Sequence, residues 1–122
     1  MGFDTGKMEP VISAAIHGDL LPQLPGIIYS LGRDAQTPEE YDYAFRHLVA
    51  LSASPSSYVH SMVILAFSLL AVFHGRLERQ VVEPIIYPAW SKAQGMELQR
   101  IQDAVEDINE RLDWGLERPV LP

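Results

Sequence analysis

Between Thr37 and His74 the chain reads as two helices joined by a short break, each opened by the same device. Thr37 and Ser54 stand as N-caps, and Pro38 and Pro55 fall at the first helical position, where a missing N–H costs nothing. Thr37 and Glu40 have the spacing of a capping box, in which hydroxyl and carboxylate each satisfy an orphan backbone donor. The second helix is apolar on all sides from Met62 to Phe73 (MVILAFSLLAVF), and a helix of that kind has to be covered on every face. The twelve-residue run falls short of the roughly 20 apolar residues of a membrane span. It is expected as the buried spine of an all-α fold, with no membrane as partner.

The remaining segments read as its wrapping. No stretch keeps the two-residue alternation of a strand, and no Asn-Gly or Asp-Gly hairpin signal occurs. A first helix is expected over Met8 to His17, with Pro10 in its first turn, stopped by Gly18-Asp19. Pro22 and Pro25 limit the next segment to regular helix from about Pro25 to Gly32. The helix over 38–52 puts Tyr41, Ala44, Phe45, Leu48 and Leu51 on one stripe, while that over 55–74 closes on His74-Gly75. A fifth helix begins near Leu77, and Pro84 is expected to kink it or split it in two. The last, from Met96 to Trp114, carries Leu98, Ile101, Val105, Ile108 and Leu112 on one face and ends at Gly115. These six to seven helices pair as 8–17 with 20–32, 37–52 with 54–74 and 77–90 with 96–114. The period is that of a HEAT/armadillo-like α-solenoid, with a compact helical bundle as the alternative. A single helical domain over 1–122 is expected, with 1–7 and 116–122 as loose termini.

Composition narrows the function. The chain has 122 residues, enough to bury roughly two thirds of its unfolded surface in one core. It has no cysteine, which removes disulfides, thiolate metal sites and thiol nucleophiles and fits a reducing compartment. The acidic start, MGFDTGKMEP, lacks the basic region and long apolar core of a secretory signal, so the cytoplasm is the expected location. Position 6 is Gly where N-myristoylation wants Ser or Thr. Sixteen acids against nine bases give a net charge of −7, which argues against a nucleic-acid partner, since phosphate contacts need clustered Lys and Arg.

No catalytic constellation emerges. His17, His47, His60 and His74 share no ligand spacing with one another, and there is no HExxH, GxSxG or phosphate-binding glycine loop. Serines 52, 54, 56 and 57 cluster where helix capping explains them, and Glu39-Glu40 and Glu106-Asp107 are adjacent acids that diverge by about 100°. No catalytic residue, metal or cofactor is therefore expected, and the chain is not read as an enzyme.

Two acidic surfaces remain. The last helix and its end hold Glu97, Asp103, Glu106, Asp107, Glu110, Asp113 and Glu117 against only Arg100, Arg111 and Arg118. With the apolar stripe turned inward, Asp103, Glu106, Asp107 and Glu110 crowd the opposite face, and a basic partner would reverse their mutual repulsion. The second surface joins Glu39, Glu40 and Asp42 to Tyr43, a combination suited to Lys and Arg. These eight residues are the expected partner-binding set, and an exposed Trp90 or Trp114 would add to it.

Gly18-Asp19, Leu24-Pro25, Ser54-Pro55 followed by Val59, and His74-Gly75 together resemble the small HEAT-like immunity proteins of bacterial toxin-immunity systems, including contact-dependent growth inhibition. A HEAT inner helix usually has Arg after the Val, and here His60 follows. The resemblance implies binding of a cognate toxin, often a nuclease with a basic groove, neutralised by an acidic helical surface. A helical adaptor that assembles another bacterial complex through the same surfaces is the alternative.

Overall fold

The structure, a computed structural model, describes residues 2–120. Those residues form six helices and no strand: α1 (Thr5–Ile16), α2 (Leu24–Arg33), α3 (Pro38–Leu51), α4 (Ser57–His74), α5 (Arg79–Lys92) and α6 (Gly95–Leu112). The fold is all-α.

α3 starts as its sequence dictates. Thr37 Oγ1 accepts from the Glu40 N–H at 3.1 Å, and the Glu40 carboxylate accepts from the N–H groups of Thr37 (3.1 Å) and Gln36 (2.9 Å). α4 starts later than expected: Ser56, not Ser54, is its N-cap, accepting from the Val59 N–H at 3.2 Å, and Pro55 stands outside the helix. Ser54 is buried instead, its hydroxyl oxygen accepting from the Ser56 N–H and its carbonyl from His60 Nε2 at 2.6 Å. Four closely spaced serines offered two caps, and the one three residues before a free N–H took the role. The far end closes on Gly75 at φ 71°, a left-handed C-cap whose N–H reaches the Ala71 carbonyl at 2.8 Å.

Three further expectations are corrected. α1 begins at Thr5, capped by the Asp4 carboxylate on the Lys7 N–H, so Pro10 lies in its interior rather than in its first turn. α5 is one continuous helix through Pro84 and Pro88, so of the kink or split expected at Pro84 the split does not occur. Both prolines are exposed, while Val82, Ile86 and Trp90, at i, i+4 and i+8, hold the opposite face in the core. The missing N–H groups and displaced carbonyls thus fall on the solvent side, where water satisfies them. The C-terminal segment is not loose. Leu116 is buried, and the Asn109 side chain both donates to its carbonyl (2.9 Å) and accepts from its N–H (2.8 Å). Arg118 donates to the carbonyls of Trp90 (3.1 Å) and Ala93 (3.0 Å) at the end of α5. Asp113, in the left-handed region at φ 56°, makes the turn that sends the chain back. Of the expected loose termini, residues 1, 121 and 122 lie outside the described residues.

α4 is the hub. Its strongest packing is against α2 on one side and α6 on the other, with α3 and α5 completing the layer behind. Tyr41 at the start of α3 meets Arg76 just past the end of α4, and Phe45 meets Phe67, so these two helices run antiparallel. Arg100 near the start of α6 reaches Ser61 near the start of α4 at 2.9 Å, so those two run parallel. Arg79, opening α5, donates to the Trp114 carbonyl beyond the end of α6, making that pair antiparallel. The result is a stack of three αα-hairpins, with α2, α4 and α6 side by side. α2 approaches α4 most closely at Gly32, where a Cβ would stand 2.7 Å from the Ala66 carbonyl oxygen and 2.8 Å from its Cα.

The cover over α4 is incomplete. Helix α4 is 18 residues long, enough by length and composition to cross a membrane, and 56% of it is buried inside the fold. Val72 and Phe73 are exposed, Phe73 by 56%, against the expectation that every face be covered. Helix lengths account for this: Gly32 is level with Ala66 and α2 ends one residue later, while α4 continues for two further turns, its last residue tied to the link after α2 by His74 on the Ala35 carbonyl at 2.8 Å.

Candidate functional site

The eight residues singled out from the sequence fall into two groups that the fold keeps apart. α3 packs on the side of α4 marked by Phe67 and His74, and α6 on the side marked by Ser61. Their outward faces do not merge into one surface.

The α3 group is largely committed to its own structure. Glu40 serves the capping box, and hydrogen bonds from the Gln36 and Thr37 backbones hold its carboxyl below the usual range. The Tyr43 hydroxyl donates to Glu9 at 2.9 Å, and its ring lies against Phe3 and His47. Burial, reinforced by the Glu9 carboxylate, pushes this phenol up to about 12. Asp42 lies 4.0 Å from Arg76, an exposed pair of little energetic weight. Of the four, only Glu39 is an exposed carboxylate with no ion pair among the described residues.

The α6 group is free. Asp103, Glu106, Asp107 and Glu110 are all exposed, and none has a salt bridge among the described residues; Asp103 only accepts from the Gln99 amide at 2.9 Å. Behind them Ile101, Ala104, Val105 and Ile108 are buried, so the apolar stripe anchors the helix and leaves the carboxylates presented to solvent. Arg100, three residues before Asp103, is engaged with Ser61 and lies 5.5 Å over the Tyr58 ring, while Arg111, four residues past Asp107, has no ion pair among the described residues. Both tryptophans are drawn into the fold: Trp90 is 5% exposed, its indole N–H without a partner among the described residues, and Trp114 is half-buried under Arg79.

The four histidines each set one ring nitrogen on a backbone carbonyl: His17 on Ser13, His47 on Tyr43, His60 on Ser54 and His74 on Ala35, at 2.6–2.9 Å. Those nitrogens carry the proton as donors, so the imidazoles act as structural ties. Among the described residues no three His, Asp or Glu side chains gather as a metal site. A cleft of about 390 Å³ lies between the α3–α4 turn and α5, with His60, Lys92 and Glu97 on its rim over Pro84, Ile85 and Pro88. Two serines line it: the Ser52 hydroxyl donates to the Val49 carbonyl, Ser57 opens α4, and among the described residues neither hydroxyl is hydrogen-bonded to the His60 ring, whose Nε2 is on the Ser54 carbonyl. What the sequence reading missed is the apolar strip of α4 formed by Leu65, Leu69, Val72 and Phe73.

These features define an all-α protein with a free acidic helix face. No family model, no curated protein and no solved structure matches the chain.

Proposed function

We propose that this protein is a binding protein that captures and neutralises a basic protein partner, in the manner of a bacterial immunity protein acting on a cognate toxin such as a nuclease. The observation that carries the reading is the outward face of α6, where Asp103, Glu106, Asp107 and Glu110 are exposed and without a cationic partner among the described residues. Four carboxylates within eight residues of one helix repel each other, and a basic groove laid over them removes that repulsion and gains attraction. A chain of charge −7 also steers a cationic partner toward itself, which matters when a toxin must be caught before it acts. The ties of the four histidines to backbone carbonyls and the capping role of Glu40 support reading the α6 face as the functional surface.

The test is neutralisation in cells. The protein is co-expressed with the product of the gene adjacent to its own, and growth is compared for the wild type and for Asp103→Lys, Glu106→Lys, Asp107→Lys and Glu110→Lys combined. Rescue by the wild type and loss of rescue by the combined variant are expected. Rescue that persists with all four charges reversed refutes the acidic-face reading, and absence of any complex with a basic neighbour product favours an adaptor role.

A further inference from the structure

We propose that the open face of the α2–α4–α6 row, centred on Leu69, Val72 and Phe73 and edged by Asp103, Asp107 and Glu110, receives an amphipathic helix of the partner. That helix would have one flank of its apolar stripe lined with Lys or Arg. The acidic edge rests on the binding reading above; the apolar centre stands by itself.

Helix α4 contributes the centre. Leu65, Leu69, Val72 and Phe73 follow one another at spacings of four, three and one, on the side of the helix away from α3. Leu65 and Leu69 are half-buried, Val72 is 36% exposed and Phe73 is 56% exposed. On α2, Tyr29, three residues before the close approach at Gly32, is 38% exposed. A strip of aliphatic and aromatic side chains rimmed by polar groups is the form of a helix-binding groove, with a large aromatic as its natural anchor.

Helix α6 contributes the edge, and its register can be traced. Arg100 crosses to Ser61 on α4, so the line of residues on its side of α6 borders the open face. That line continues through Asp103, Asp107 and Glu110, at spacings of three, four and three. The two helices run parallel with equal rise, so Asp107, seven residues beyond Arg100, comes level with Ser68 and Leu69, and Glu110 with Ala71 and Val72. The edge therefore sets Asp107 and Glu110 beside the exposed centre, with Arg111, level with Val72, as a cation next to them.

Charge selects the occupant. A second copy of this chain carries the same −7 and would bring acid against acid across the groove. An anionic lipid surface is repelled for the same reason. A basic-edged amphipathic helix fits both the centre and the edge.

The experiment uses the full chain and a labelled synthetic Leu/Lys peptide of about five helical turns, with its lysines along one flank, followed by fluorescence anisotropy at low and physiological salt. The same peptide with glutamates replacing the lysines is the control. Phe73→Ser and Val72→Lys alter exposed positions and should leave the circular dichroism unchanged while weakening binding at least about tenfold. Asp107→Lys with Glu110→Lys should weaken it similarly and remove its salt dependence, whereas Glu39→Lys with Asp42→Lys should have little effect. Binding that survives Phe73→Ser, or that falls equally with the α3 variant, overturns the assignment of this face. So does a concentration-dependent dimer of the wild type, in sedimentation, that Phe73→Ser dissolves. Loss with Phe73→Ser but not with the α6 reversals keeps the face and overturns the basic partner. Because the peptide assay needs no toxin, a failed growth rescue leaves this result standing.

Discussion

Two glycines on the same helix should respond in opposite directions to the same mutation. At Gly32 an added Cβ meets backbone: 2.7 Å to the Ala66 oxygen, 2.8 Å to its Cα and 3.1 Å to its Cβ. Backbone atoms cannot rotate aside, so α2 has to withdraw by roughly 1 Å to restore ordinary contact near 3.5 Å. Leu24, Ile28 and Leu31, each at most 1% exposed, travel with it. A gap of that size forfeits about a quarter to a half of each dispersion contact, and overpacking of this kind typically costs about 1–3 kcal/mol. Removing a glycine from a helix returns up to about 1 kcal/mol. Gly32→Ala is thus expected to destabilise by up to about 2 kcal/mol, a drop in Tm of up to roughly 8 °C for a chain of this size. At Gly26 nothing lies within 4 Å of the added Cβ, and the position is exposed, so Gly26→Ala should stabilise by about 0.5 kcal/mol. Urea denaturation monitored by circular dichroism reads both. Equal shifts in the two variants, or a Gly32→Ala that stabilises as Gly26→Ala does, would refute the close approach of α2 to α4 and with it the register that exposes Phe73.

The capping box gives a second test: Thr37→Ala should cost about 1 kcal/mol in the same denaturation series. Glu40 adds a pH signature. Its carboxyl is held low in the fold by the Gln36 and Thr37 backbones, so its contribution is present above the ordinary glutamate value of about 4.3 and is lost as pH falls through the lowered one. The stability gap between wild type and Glu40→Gln should close towards pH 3; a gap constant with pH refutes the charged cap. For the C-terminal strap, Leu116→Ala should cost about 2 kcal/mol, and Arg118→Ala should speed hydrogen exchange at the end of α5. Unchanged exchange there would show that the strap does not hold that helix end.

Local signals were legible where the physics is local. Thr37, Pro38 and Glu40 placed the start of α3, and the spacing of Ile101, Val105 and Ile108 placed the buried face of α6, because capping and periodicity need only neighbours in sequence. The start of α1 was hidden because Thr5 and Gly6 are poor helix formers, while Asp4 supplies the cap. α5 was obscured by two prolines whose harm depends on which side faces the core, a tertiary fact. The strap depends on Asn109 and Arg118 meeting carbonyls from another part of the chain, which no spacing encodes. The same division holds for the site. The α6 carboxylates were visible as a charge pattern, but the engagement of Tyr43 by Glu9 and the exposure of Phe73 follow from which elements lie beside them.

The two parts of the proposed surface have different physical work to do, and that separates them kinetically. Exposed carboxylates such as Glu106 and Glu110 act through water, screened beyond about 8 Å at physiological salt, so they accelerate encounter more than they hold a finished complex. Phe73 and Val72 act only on contact, once water has left the interface, so they govern how long the complex lasts. Charge reversal on α6 should therefore slow association and flatten its salt dependence, while Phe73→Ser should chiefly speed dissociation. A fold that holds both on adjacent helices of one row, fixed by the Arg100–Ser61 bond, places the steering charges beside the contact they serve.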